Sequence, residues 1–165
     1  MVSEDQELQD LVCGMRVPRN QHAIDYLGMH FAFCSLQCKE RFLANPHLYI
    51  GEPGQKAPKQ KGRKVIKRRR FELTEPLTDA MAARVAEEIR SMMGIKGIIV
   101  NGTSIEISYD LLEATAEQIE SRLEKVGAHL GHDWGQQLRR GFVHFLEETE
   151  VDSLEVSPSP HRHNH

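Results

Sequence analysis

Cysteine is scarce in this chain, with three residues in 165, and the odd count argues against a disulfide framework. No apolar run approaches the roughly 18–20 residues that a helix needs to cross a bilayer. The opening MVSEDQELQD is acidic and polar, unlike a secretory signal. The expected compartment is therefore cytoplasmic, where thiols stay reduced. A Walker-type phosphate loop is missing too, since GTS at 102–104 belongs to a hairpin, and no Ser, His and Asp grouping stands in motif context. The expectation is a protein that is not an enzyme.

What is present is unevenly charged. Residues 51–70 carry nine Lys or Arg and one acid, Glu52, whereas residues 71–165 carry eight basic and seventeen acidic residues. This separates a basic tether from an acidic globule, and 165 residues have room for two small modules. All three cysteines fall within 10–50. The stretch GEPGQKAPKQKGRK (51–64) is rich in Gly, Pro, Lys and Gln without apolar periodicity, and reads as a basic flexible linker. The basic run KQKGRKVIKRRR (59–70) offers contact to the phosphates of nucleic acid, an anionic membrane or an acidic partner, but it lacks interleaved aromatics that would stack on bases, and solvated linker charge is the expected reading.

Residues 65–131 alternate between elements. VIKRRRFEL reads as a strand with Phe71 and Leu73 on one face, and TDAMAARVAEEIRSMMG as a helix burying Ala82, Val85, Ala86, Ile89 and Met93. GIIVNGTSIEISYD reads as a hairpin turning at Asn101-Gly102 in a type I′ turn. A second helix starts at Thr115, with Gln118 completing a capping box. The order βαββα, closed by a short strand near 128–130, is a ferredoxin-like sandwich. Residues 132–150 form a further helix with Trp134, Leu138, Phe142, Phe145 and Leu146 on one stripe. That stripe is expected to pack on the preceding domain, the alternative being a partner or dimer surface. Residues 151–165 read as a disordered tail, in which His161, His163 and His165 offer weak metal contacts.

Cys13, Cys34 and Cys38 form the pattern C-x20-C-x3-C. MHFAFC reads as a strand ending at Cys34, Ser35 as a helix N-cap, and Cys38 as part of the first helical turn, so the two thiols converge. A helix N-terminus favours thiolate, the form that binds soft metals. Cys13 sits in LVCGMRV, where Gly14 permits a tight turn that brings in a third sulfur. Three thiolates form a trigonal set for Cu(I), and one added histidine makes a Cys3His zinc site. His22, His30 and His47 are within reach, His30 being preferred because it shares the strand with Cys34. Met15 offers a thioether or else a core side chain.

The residues VCGM (12–15), YLG (26–28), FAFCS (31–35), Cys38, Phe42 and NPHLY (45–49) resemble the YHS domain, one of the TRASH-like metal-associated cysteine modules. The resemblance covers about a quarter of the chain, and Leu11 stands where that family usually has Pro. It implies a small treble-clef-like module holding one Cu(I) or Zn(II) through Cys13, Cys34 and Cys38, to which the residue pattern adds His30 or Met15 as a candidate further ligand. Residues 65–131, through GIKGIIVNGTSIEISYD and TAEQIESRLEKVGAHLG, are similar to the heavy-metal-associated (HMA) domain of copper chaperones and P-type ATPase tails. That family binds metal through a CxxC loop, whereas the loop here, LTEPLTDAM, has no cysteine. The expected fold class is thus α+β: the cysteine module, the ferredoxin-like sandwich and a C-terminal amphipathic helix. The two resemblances imply copper handling, detoxification or delivery, metallochaperone-like. The partner would be a metal-transporting P-type ATPase, another metal-handling protein or a second copy of the chain. The competing reading is a structural-zinc adaptor, with a nucleic-acid-binding regulator behind it.

Overall fold

The computed structural model describes residues 6–155 and is α+β. The described chain divides into two compact units, one comprising residues 6–64 with 150–155 and the other residues 65–149.

The first unit holds two short antiparallel ribbons, β1 (Glu7–Gln9) with β2 (Arg16–Pro18) and β3 (Ile24–Tyr26) with β4 (Met29–Phe31), followed by helix α1 (Leu36–Ala44) and a 3-10 turn over Pro46–Leu48. β4 ends at Phe31, short of the strand to Cys34 that the aromatic run predicts. The aromatics instead turn inward around Phe42, which is fully buried. Its ring centroid lies 4.9 Å from that of Phe31, 5.3 Å from Phe33, 5.8 Å from Tyr26 and 6.0 Å from Tyr49. A cluster of this density substitutes for the long strands that a unit this small lacks the chain to build.

Two expectations about the flanks change. The stretch expected to be a solvated linker is tied down: Ala57 is fully buried, Lys59 N–H donates to Leu48 O at 2.9 Å, and Glu52 bridges to Gln55. Its lysines supply charge while its backbone supplies turns. Residues 151–154, read as the start of a tail, instead extend the last helix and, with Glu155, finish the first unit. Glu155 accepts from His47 N–H (2.8 Å) and Asn45 Nδ2 (3.1 Å), and Asn45 Nδ2 also donates to Asp152 Oδ1 at 2.8 Å. These carboxylates satisfy polar groups at the end of α1, where helical bonding runs out. Glu155→Ala should therefore cost about 1–2 kcal/mol in urea unfolding, whereas the exposed Glu148→Ala should leave stability within about 0.5 kcal/mol.

The second unit contains β5 (Ile66–Glu72), α2 (Asp79–Arg90), β6 (Ile95–Asn101), β7 (Ser104–Asp110) and α3 (Ala116–Val126). The sheet order is β5-β7-β6, antiparallel throughout, with an isolated bridge between Leu73 and Leu130 on the outer side of β5. β5 and β6, both antiparallel to β7, are parallel to each other with α2 between them in sequence, which is the split βαβ arrangement. Ile105, Ile107 and Tyr109 of β7, Val85 and Ile89 of α2, and Ile119 and Leu123 of α3 are all fully buried and form the core of this unit. The capping box at Thr115 and Gln118 forms as expected. The hairpin turn is centred one residue later than Asn101-Gly102. Asn101 pairs with Ser104, and Gly102, at φ +63°, opens the two-residue loop, as a Gly-X turn requires.

Helix α4 (Trp134–Leu154) departs most from expectation. Its apolar stripe does not pack on the preceding domain: Trp134, Leu138, Phe142, Phe145 and Leu146 are exposed. The opposite face is polar and docks the helix. Arg140 Nη1 donates to Gly131 O at 2.7 Å, and His144 Nε2 lies 2.8 Å from Glu120 Oε2. Glu147, buried, accepts from Tyr109 Oη and from Ala116 N–H at 2.8 Å. Burial and the Glu147 carboxylate push the Tyr109 phenol well above its usual range, so it stays a donor. The periodicity identified an amphipathic helix, but these side-chain pairings set which face turns inward.

Candidate metal centre

The three cysteines converge. Cys13 lies in the β1–β2 loop, Cys34 between β4 and α1, and Cys38 in the first turn of α1. Ser35 caps that helix, its Oγ accepting from Cys38 N–H at 3.4 Å. Gly14, at φ +87°, closes the loop with its N–H on Asp10 O at 2.7 Å, as only glycine does without strain. Cys13 Sγ lies 3.5 Å from Cys34 Sγ, which lies 3.6 Å from Cys38 Sγ. These separations far exceed a disulfide bond, and all three cysteines are free. They approach the ~3.8 Å edge expected for sulfurs ~2.3 Å from one tetrahedral centre.

The residue that sequence reasoning missed is Asp10, whose ligand-type oxygen joins the three sulfurs with all four atoms within 4.8 Å of one another. Asp10 is fully buried. Its Oδ1 accepts from Val12 N–H (2.8 Å) and Cys13 N–H (3.2 Å), and its Oδ2 from Cys34 N–H (2.8 Å). One carboxylate thus folds the first cysteine loop and fastens the second to it. Gln21 adds a clamp, its Nε2 donating to Cys34 O at 3.1 Å. The spacing D-x-x-C is the available signal, because an Asp two or three residues before a turn's amides caps them. Nothing local to Asp10, however, announces its reach to Cys34.

The other expected ligands lie elsewhere. His30 directs Nδ1 to Asp25 Oδ1 (2.7 Å) and Nε2 to Arg19 O (2.9 Å). The Arg19 carbonyl, and after it the Asp25 carboxylate, raise its pKa. Both ring nitrogens are thus engaged by Asp25 and Arg19, and neither joins the sulfur cluster. His47 is buried with Nδ1 toward Ile50 O, and neither it nor His22 joins the cluster. Met15 is 48% exposed and so is not the core methionine of the alternative reading; its carbonyl accepts from Asp10 N–H. His161, His163 and His165 lie outside the described residues.

The protonation of the cluster is also uneven. Hydrogen bonding from Cys38 draws the Cys13 thiol down against the opposing effect of burial. Burial pushes Cys34 up to about 12, while its contact with Cys13, followed by burial, raises Cys38. The expected lowering of Cys38 by the helix N-terminus is outweighed, because two neighbouring sulfurs, burial and the Asp10 carboxylate disfavour further negative charge. Cys13 is therefore the thiol that ionises most readily, and ionising Cys34 and Cys38 is favoured by compensating positive charge. Cys13 and Cys34 remain partly accessible while Cys38 is sealed, so the cluster has one open side. Such a set of groups can hold a metal ion.

Comparison with protein-family models matches residues 8–52 to the YHS domain. This range contains all four clustered residues and covers about a quarter of the chain. No curated protein and no solved structure matches the chain. Among the described residues no helix is long and apolar enough to cross a membrane.

Proposed function

We propose that the chain binds one soft transition-metal ion, copper(I) foremost, through Cys13, Cys34 and Cys38, and serves in cytoplasmic metal handling, detoxification or delivery. The observation that carries this reading is the convergence of three thiol sulfurs within a YHS-type segment, fastened by a buried carboxylate. Soft thiolates select Cu(I), and a site open at Cys13 and Cys34 allows an incoming thiol to displace one ligand at a time. Asp10 holds the loops that carry Cys13 and Cys34, with three backbone amides committed to it. The role is binding rather than catalytic.

The second unit is read as an HMA-like docking module that keeps the split βαβ order without thiols in the β5–α2 loop. Its partner would be a metal-transporting P-type ATPase or another metal-handling protein. One observation favours the structural-zinc adaptor reading: the Asp10 oxygen is a fourth donor, and zinc in structural sites takes four protein ligands.

Metal analysis of reduced protein, followed by competition with a Cu(I) chelator, separates the two. One Cu(I) per chain, retained against the chelator and able to displace zinc, is the expected result. One zinc that copper does not displace, with residues 8–52 unfolding when it is stripped, would establish the adaptor. No stoichiometric binding of either ion overturns both.

A further inference from the structure

We propose that the outward face of α4 is a self-association surface, on which two copies of this chain pair their helices antiparallel across a two-fold axis near residue 140. This rests on the second unit alone and is independent of the metal reading.

The helix is inverted relative to an ordinary surface helix. Its docked face is mostly polar, carried by Arg140, His144 and Glu147 with Val143 half-buried among them, while Trp134 (77% exposed), Phe142 and Phe145 (61% each), Leu138 (53%) and Leu146 (42%) face water. Scattered apolar residues are ordinary on a surface, but five on one continuous stripe mark a contact site. At roughly 200 Å² per large side chain, they offer about 600 Å² per copy, and a pair would bury about 1,200 Å², at the threshold of specific interfaces.

The stripe complements itself. An antiparallel two-fold near residue 140 sets Trp134 against the partner's Leu146 and Leu138 against the partner's Phe142. It also sets Phe145 against the partner's Gly135, which has no side chain to obstruct the ring. Gly141 then lies beside the crossing point. A mid-helix glycine costs roughly 0.5–1 kcal/mol relative to alanine, and a Cβ built on Gly141 meets nothing within 4 Å, so internal packing does not require it. Close approach of an identical helix does. Each of these contacts recurs with the two copies exchanged, which is what an isologous interface requires.

The test is sedimentation equilibrium of the full chain, together with emission from Trp134, the sole tryptophan. The wild type should be a dimer at micromolar concentration, with emission that shifts to the blue as concentration rises. Phe142→Glu should weaken the dimer roughly 100-fold while far-UV circular dichroism stays unchanged, since the side chain is exposed. Gly141→Leu should weaken it as well while stabilising the monomer's helix, a combination that simple misfolding does not produce. A wild type that stays monomeric up to about 100 µM overturns the proposal, and so does a dimer indifferent to both substitutions. A monomer whose Trp134 shifts only on adding phosphatidylcholine vesicles also overturns it, by assigning the stripe to a lipid surface.

Discussion

Cys38→Ser is expected to lower metal affinity by two to three orders of magnitude while leaving most of the fold in place. Binding energies of about 10–16 kcal/mol for structural zinc, spread over three or four ligands, leave roughly 3–5 kcal/mol per thiolate. A serine hydroxyl does not supply the lost thiolate charge. The position is fully buried on the first turn of α1, so the variant also exchanges a buried sulfur for a more strongly hydrated hydroxyl, at a cost of about 1–2 kcal/mol. Chelator competition measures the first effect and urea unfolding of the metal-free protein the second. Cys13→Ser and Cys34→Ser should show comparable affinity losses, because the three sulfurs form one cluster. If Cys38→Ser binds as tightly as the wild type, the three-thiolate site is wrong.

Asp10→Asn should separate positioning from ligation. The amide can keep its oxygen toward Val12 and Cys13 N–H, but its NH2 then faces Cys34 N–H, placing a donor against a donor. One charge-assisted bond is lost and one buried amide is stranded, costing together roughly 3 kcal/mol in the stability of the metal-free protein. Metal affinity should fall a further ~10–100-fold, the range seen when groups that orient ligands are removed. Denaturation of the metal-free protein gives the first number and chelator competition the second. Stability unchanged within about 0.5 kcal/mol would mean that Asp10 does not organise the two loops.

Much of the centre was legible in the chain itself. Ser35 as N-cap follows from its place before a helical period, and the tight turn at Gly14 follows from glycine's access to positive φ. The pattern C-x20-C-x3-C places two thiols on one helix start, so their proximity is local chemistry. His30 was misassigned for an equally physical reason. Alternation along β4 places a side chain on one face or the other, but not what lies opposite it. Asp25, on the paired strand β3, and the Arg19 carbonyl, in the loop after β2, claimed both ring nitrogens. Asp10 was missed because its longest bond in sequence, to Cys34, spans 24 residues.

The amino-acid order alone determined the α+β alternation, the pairing of Cys34 with Cys38 and the amphipathic character of α4, because each depends on spacing within a turn, a strand or a helix. The tertiary structure alone decided which carboxylate joins the sulfurs and which imidazole does not. It also decided that residues 51–64 fold back and that α4 turns its apolar face outward. These outcomes depend on which polar groups meet after the chain has folded. A buried carboxylate goes where distant amides need it, and a helix docks by whichever face finds partners.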